Sequence, residues 1–470
     1  MLRSNMKHSF KILIVIFMLI LNGSALADDA MRYFQQKAAA IKLPEADAAI
    51  KNKDYAKAFN IYKTLAEQGD VVAQYQLGYL YQHGLGTNKD DELAAAWFTK
   101  ASEQSFPPAQ YALATLYFYG ISVQQSVDAA FDLYKLAANN NDALSQYMLG
   151  YMYSTGYGTT RDINAAVDWY TKAAAQNVPE AQYNLGLMYY TGDGVEKEYG
   201  KALNWFNAAA KNGSAKAELM LGEMYSAGQA VTADKGQAAY WYNQAAEKGL
   251  AAAQYNLAMM YYNGQGVAPN ISMAIALINK AADQNYPRAQ YFLGYLNFNG
   301  IGVQKNQQAA IEWYTKAAQQ GLADAQFAMG YLYRNGAGGL QKDDRQALNW
   351  YVMAAKQGLP GAQYMTGLLY QNGEGTPADP KMAAYWYEKA AEQGMPNAQL
   401  LLGKMYGEGA GIPADPKMAY VWLNLASTSS DSQVRDSALR LRDQLTKSMT
   451  PNQIKAAEQL SQSFYNKYAK

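Results

Sequence analysis

Side chains able to carry out reactions are scarce in this 470-residue chain, which has no Cys and two His. His8 falls in an N-terminal leader, which leaves His83 alone. Without thiolates there is no disulfide, thiolate zinc site, iron–sulfur cluster or thiol nucleophile. One imidazole cannot build a multi-histidine metal centre, and a Ser-His-Asp arrangement would have to use His83, which is expected to be solvated. No combined S-x-x-K, S-D-N and K-T-G set appears, and nothing marks a carboxylate pair for glycoside hydrolysis. The acidic pairs Asp90-Asp91 and Asp343-Asp344 lie where helices are expected to begin, so the helix dipole explains them better than a metal does. Recurrent G-x-G pairs follow a helix rather than a strand and lack the third Gly of a phosphate cradle. The expectation is a non-enzyme with no cofactor and no metal.

Tyrosine, by contrast, is abundant, with 40 residues, and half of the chain is hydrophobic while 17% is charged. That composition supports a large core and excludes intrinsic disorder. Charge is nearly balanced, with 40 Lys plus Arg against 39 Asp plus Glu. The leader holds three of the bases and no acid, so the remainder has 37 bases against 39 acids, a net −2. Such a chain lacks the basic field that binds nucleic acid.

The elements that position these side chains follow from an internal period. A small residue followed by Gln or Glu recurs at Ala73, Ala109, Ser145, Ala181, Ala217, Ala253, Ala289, Ala325, Ala362 and Ala398, at a spacing of 36 residues with a single 37. A period of this size marks a solenoid of helical hairpins, because one hairpin cannot bury its own apolar face. Counting from each start, positions 1 to 11 are expected to form helix A and positions 18 to 32 helix B. Position 12 is Gly in every repeat, as a left-handed residue ending a helix requires. Position 14 is Gly except at Ser122 and Ala230, and Pro at position 35 of five repeats (Pro107, Pro179, Pro287, Pro360 and Pro396) opens the next hairpin. All eight Trp fall at position 25, where Leu133 and Leu277 complete the set. A position that accepts Trp or Leu selects for apolar bulk, so the Trp are expected to be core. Position 6 is Gly or Ala, which suits close helix approach.

The first 27 residues combine Arg3, Lys7 and Lys11, an apolar run from Ile12 to Leu21, and Ala25-Leu26-Ala27. This is the pattern of a secretory signal cleaved before Asp28. Ten apolar residues are too few to span a membrane, and no later segment is long and apolar enough to do so. The expected location is the periplasm or the exterior of a bacterial cell.

The pattern L-G-x-x-Y-x-x-G-x-G-V followed by A-x-x-W-Y-x-x-A-A resembles the Sel1-like repeat family, relatives of tetratricopeptide repeats. The second repeat departs most, with Ala114, Ser122 and Leu133, and Asn297 replaces the position 9 Tyr in the seventh. The resemblance implies an all-α, right-handed α-solenoid of about ten Sel1-like repeats with helical caps at both ends, and an adaptor without catalytic activity. β-Lactam binding, described for some Cys-rich relatives, is not expected without Cys. The expected organisation is a signal peptide at 1–27, an N-terminal helical cap at 28–72, repeats at 73–430 and a C-terminal helical cap at 431–470. Within the first cap, Asp54 to Asp70 reads as an isolated helix B. In the second, Thr450-Pro451-Asn452-Gln453 forms a capping box that opens a helix with Ile454, Ala457, Leu460, Phe464 and Tyr468 on its apolar face.

Positions 3, 7 and 10 of helix A share one face, and in tetratricopeptide-like solenoids the corresponding face is concave. Position 3 supplies Tyr75, Tyr111, Tyr147, Tyr183, Tyr255, Tyr291 and Tyr364; position 7 supplies Tyr79, Tyr151, Tyr295 and Tyr331; position 10 supplies Tyr190 and Tyr262. These are the expected partner-binding residues, since Tyr combines an apolar body with a polar tip and few torsions to freeze. Filling space between successive A helices is the competing role for position 3. The expected partner is a protein, either an envelope component or a host factor. The closing AEQLSQSFYNKYAK is similar to the end of a Sel1-type protein of pathogenic bacteria that binds secretory immunoglobulin A, which implies a virulence-associated role. The alternative partner is a cell-wall or exopolysaccharide glycan stacked on the aromatic rings.

Overall fold

The computed structural model describes residues 43–468, so the leader at 1–27 and the part of the N-terminal cap before residue 43 lie outside the described residues. These residues form 24 helices and no strand. Helices A and B alternate as expected; in the first hairpin they are Val71–His83 and Asp91–Glu103. None of the helices is long and apolar enough to cross a membrane.

Local chemistry sets each helix boundary. Helix A stops where position 12 turns left-handed, as at Gly84 with φ 64°, whose N–H returns to the carbonyls of Leu80 and Tyr81. The next turn is closed by one recurrent bond: the N–H of the residue before helix B donates to the carbonyl of position 9, as in Asp90 to Tyr81 and Asp415 to Tyr406, both 2.9 Å. Asn306 donates to Asn297 at the same distance. The main chain of position 9 closes the turn, which explains why Asn297 can stand where Tyr is usual. Asp90 and Asp343 are N-caps, their carboxylates accepting from the N–H groups of Leu93 and Gln346. This is the role their place at a helix start implied. Asp91 and Asp344 pair instead with Lys89 and Lys342.

Position 14 is left-handed even where it is not Gly, with φ 52° at Ser122 and 60° at Ala230. The turn also runs tightly over the preceding hairpin. A β-carbon on Gly194 would sit 1.8 Å from Cγ2 of Ile163, at the start of the previous helix B.

The core of each hairpin lies between position 6 of helix A and position 26 of helix B. Position 26 holds Phe98, Tyr134, Tyr170, Phe206, Tyr242, Ile278, Tyr314, Tyr351, Tyr387 and Leu423, all buried. Where position 6 is Gly and position 26 aromatic, the ring covers the glycine at a distance that no β-carbon would tolerate. This corrects the expectation for the Trp. Only Trp386 and Trp422 are fully buried; the other six are half-buried beside position 26. Lys100, Lys172 and Lys316 lie over the rings of Trp97, Trp169 and Trp313, the ammonium about 4 Å from each ring centre.

Successive hairpins are stitched by the Gln of position 2, buried in nine repeats. Gln290 is representative: its Nε2 donates to the carbonyl of Ala282 in the preceding helix B at 3.3 Å, and its Oε1 accepts from Gln320 at 2.7 Å. The same paired bonds recur at Gln74, Gln146, Gln254, Gln326 and Gln363. A buried carboxamide must be satisfied on both its donor and its acceptor side, and these bonds satisfy both.

The ends differ from the middle. Tyr55–Glu67 packs on the first helix A and is the expected isolated helix B. Pro44–Lys51 covers it, with the Tyr62 hydroxyl donating to Asp47 at 3.1 Å. The C-terminal cap is two helices, Ser432–Thr446 and Pro451–Tyr468. The second opens with the expected capping box: Thr450 N–H donates to Oε1 of Gln453, and Gln453 N–H donates to Oγ1 of Thr450. Ala457 is buried, and Ile454, Leu460 and Phe464 pack inward. The side chain of Tyr468 lies outside the described ones. Phe464 meets Trp422 edge-on at 5.4 Å, which seals Trp422 to 1% exposure.

By packing, the chain divides into two compact bodies, the first ending at Leu221 and the second beginning at Gly222. They are described separately below.

Candidate partner-binding face

In the first body, positions 3 and 7 of helix A do share a face, but much of it is closed. Tyr75 is only 4% exposed, wedged against Phe98 and Phe106 with ring centres 5.7 Å from each. Its expected contact role is therefore corrected to packing. Tyr111, Tyr147 and Tyr183 are half-buried and lean on the position 26 rings of Tyr134, Tyr170 and Phe206. Tyr79 and Tyr151 at position 7 are also half-buried, and Tyr79 carries the His83 ring stacked on it at 4.0 Å. His83 is exposed, and its Nδ1 lies 3.0 Å from the Tyr79 carbonyl oxygen, so it stays within its own helix.

Burial holds the phenols of Tyr75, Tyr111 and Tyr147 above their ordinary range. Negative charge adds to this, from Asp142 beside Tyr75 and Tyr111 and from Glu180 beside Tyr147. Asp142 is itself buried, and its carboxylate accepts the Ser145 N–H at 2.8 Å as the cap of the third helix A. Hydroxyls of position 26 point the same way: those of Tyr134 and Thr115 are 3.1 Å apart, and those of Tyr170 and Ser154 are 3.3 Å apart.

In the second body the face opens. Tyr295 and Tyr331, both at position 7, are 37% and 51% exposed. Tyr255, Tyr291 and Tyr364 at position 3 are half-buried. Tyr255 rests on Tyr286 at 5.6 Å, Tyr291 on Tyr314 at 5.5 Å, and Tyr364 on Tyr387 at 6.0 Å.

Position 10 departs from the expected stripe in both bodies. Tyr190 turns to Tyr199 and Phe206 of its own hairpin, while Tyr262 packs edge-on against Phe292 of the next helix A at 5.1 Å. These two fill the space between elements. Arg334, also at position 10, reaches the following turn and pairs with Glu374 at 3.0 Å.

Charged residues on the open face are additions to the tyrosine set. Arg288 and Asp324 lie at position 36, three residues before Tyr291 and Phe327 of position 3 and hence on the same side of helix A. Glu223 is at position 7. Burial raises its carboxyl above the usual range, and the nearby Arg288 charge partly offsets this. Burial likewise raises the phenols of Tyr255 and Tyr286, and the same guanidinium only partly offsets this. Extending the i, i+3, i+4 pattern one step towards the N-terminus of helix A would have found Arg288 and Asp324 in the sequence.

Among the described residues, no group of His, Asp or Glu could hold a metal ion. The chemistry on offer is that of recognition: rings, phenol hydroxyls and a few charges carried on rigid helices.

Comparison with known families finds the Sel1 repeat in eleven consecutive segments, residues 50–70, 71–106, 107–142, 143–178, 179–214, 215–250, 251–286, 287–322, 323–359, 360–395 and 396–431. The first is a partial repeat that precedes the ten counted from Ala73. Comparison with curated proteins finds no match. Among solved structures, a protective antigen present in uropathogenic Escherichia coli strains, displaying an SLR fold, is 34% identical with a TM-score of 0.57. That match covers 87% of this chain and 95% of the antigen. A Sel1 repeat protein from Oxalobacter formigenes is 32% identical with a TM-score of 0.50, covering 66% of this chain and 89% of its own.

Proposed function

Because the chain belongs to the Sel1 repeat family, whose members are generally scaffolds for protein–protein interaction, we propose that it is an exported, non-catalytic adaptor. It holds a protein partner on the helix A face of its second body. The observation that carries this reading is the exposure of Tyr295 and Tyr331 in register on consecutive repeats, since exposed aromatics on a rigid support are the usual anchors of an interface. Export rests on the basic, apolar and small-residue pattern of residues 1–27. A host factor as partner, including secretory immunoglobulin A, rests on the C-terminal resemblance and on the description of the E. coli relative as a protective antigen.

The test places a photo-crosslinking amino acid at 295 or 331 in residues 28–470 and exposes the protein to bacterial envelope extract and to mucosal secretions. A protein adduct formed at both positions, and abolished in competition by wild type but not by Tyr295→Ala/Tyr331→Ala, supports the reading. Identity of the adduct separates an envelope partner from immunoglobulin. Adducts that the double variant competes away as well as wild type does would overturn the assignment of the face. A polysaccharide adduct in place of a protein would make the chain a glycan binder.

A further inference from the structure

This inference rests on the reading just given and narrows it. Glu223, Arg288 and Asp324 share the open face of the second body, and among the described residues none of their side chains makes a hydrogen bond or an ion pair within 4.0 Å. Some other charges on or beside helix A are paired, as Arg334 is with Glu374 and Arg161 with Asp193. Glu223 and Arg288 feel each other's field without meeting. Between them lies an aromatic floor made by Tyr255 and Tyr286, rings 5.6 Å apart, with Arg288 acting on both phenols, Asp324 on Tyr255 and Glu223 on Tyr286. Tyr295 and Tyr331 border the floor on the same helices as Arg288 and Asp324.

We infer that this stretch binds a protein segment that itself carries both signs of charge, one carboxylate on Arg288 and basic side chains on Glu223 and Asp324. Opposite charges held apart on one surface attract a ligand with the mirror arrangement and repel uniform polymers. A polyanion meets Glu223 and Asp324, and a polycation meets Arg288. A partner carboxylate would receive two N–H bonds from the guanidinium, the strongest geometry available to it. The phenols of Tyr255 and Tyr286 stand ready to donate to the same oxygens. Arg288 and Asp324 stand on successive A helices, Pro287–Asn299 and Ala323–Asn335, that both pack on the helix Gln307–Gln319 between them. The acid that meets Arg288 and the base that meets Asp324 are therefore separated in the partner by the step from one repeat to the next.

The experiment selects a random dodecapeptide phage library on the full chain from residue 28, with Arg288→Glu and Asp324→Lys selected in parallel. Both substituted residues are exposed, and an unchanged melting temperature confirms that the variants fold. The expected result is a wild-type consensus with an acidic and a basic residue at a fixed spacing. Arg288→Glu should exchange the acid for a base and weaken the wild-type peptide by about tenfold or more, and Asp324→Lys should exchange the base for an acid. Affinity should fall as salt rises. A consensus without charge, the same consensus from all three proteins, or no enrichment overturns the inference. If adducts still form at 295 and 331 in that event, the protein-partner reading stands and only its charge pattern falls.

Discussion

The ring of Tyr170 covers Gly150 so closely that a β-carbon on the glycine would stand 2.5 Å from Cδ1 of the ring. The contact joins helix A to helix B at the middle of the third hairpin, where Tyr170 is 2% exposed. Glycine in a helix ordinarily costs about 1 kcal/mol relative to alanine, so the contact is what the chain gains in exchange.

Gly150→Ala should therefore destabilise the protein in spite of its better helix propensity, by about 1–3 kcal/mol, the usual effect of overpacking. Gly200, in the helix Tyr199–Lys211, is the contrast, because a β-carbon added there would meet nothing within 4 Å. Gly200→Ala should stabilise by about 0.5–1 kcal/mol. Urea unfolding of the two variants, followed by circular dichroism, checks the opposite signs; equal effects would refute the packing account.

The stitch between repeats gives a second expectation. Gln290→Leu leaves the Ala282 carbonyl and the Gln320 carboxamide without their buried partner, at a cost of about 1–3 kcal/mol. Hydrogen exchange of the helices Ile271–Asp283 and Pro287–Asn299 should accelerate before that of distant repeats. Protection unchanged in both helices would show that the bond contributes nothing.

At the turn of the fourth hairpin, Gly194→Ala faces two obstacles, a φ of 76° and the overlap with Ile163. The left-handed conformation alone costs about 1–2 kcal/mol. Trimming the neighbour with Ile163→Ala should relieve the overlap but not the backbone cost. A double-mutant cycle should return a favourable coupling of about 1 kcal/mol, and a coupling of zero would mean that the turn moves away freely.

Buried tyrosines set the response to alkali. Burial raises the phenols of Tyr134, Tyr314, Tyr351 and Tyr387 above their ordinary value of 10.0, with nearby phenols adding to the effect at Tyr134, Tyr314 and Tyr387. Above that value the unfolded chain loses protons that the folded chain keeps, so stability falls as pH rises from about 10 towards the folded values. Below about pH 9 these groups contribute no pH dependence. Absorbance at 295 nm during an alkaline titration should show a late tyrosinate step coincident with loss of helix, whereas complete ionisation while the helices persist would contradict the burial.

Much of this was readable from residue types and spacing, and the exceptions have physical causes. Gly at position 12 states a backbone conformation directly, and so the turns, the period and the hairpins followed. Trp at position 25 misled because positions 25 and 26 both carry large apolar side chains, mostly aromatic, and are adjacent on helix B. The decisive information is that Gly of position 6 faces position 26, a relation between two helices that spacing within one helix does not contain. Tyr75 is buried by Phe106, the residue just before the next helix A, again a contact made across elements. Arg288 was hidden for a different reason: it lies one step outside the positions counted as the stripe. Asn297 departs from the usual Tyr, yet the main-chain bond it accepts is the same one its tyrosine counterparts accept.

The buried glutamine stitch also bears on how such an array changes length. Its acceptor always lies eight residues back, in the hairpin before, and its donor thirty or thirty-one ahead, in its own. Excision of residues 289–324 would set Gln326 opposite Ala282, the carbonyl that Gln290 now holds, while Gln326 keeps its bond from Gln357. The junction created carries the same pair of bonds as the two it replaces. Recombination between out-of-step gene copies can then add or drop whole hairpins without exposing a new seam, so the number of repeats is free to drift while the joint between them is not.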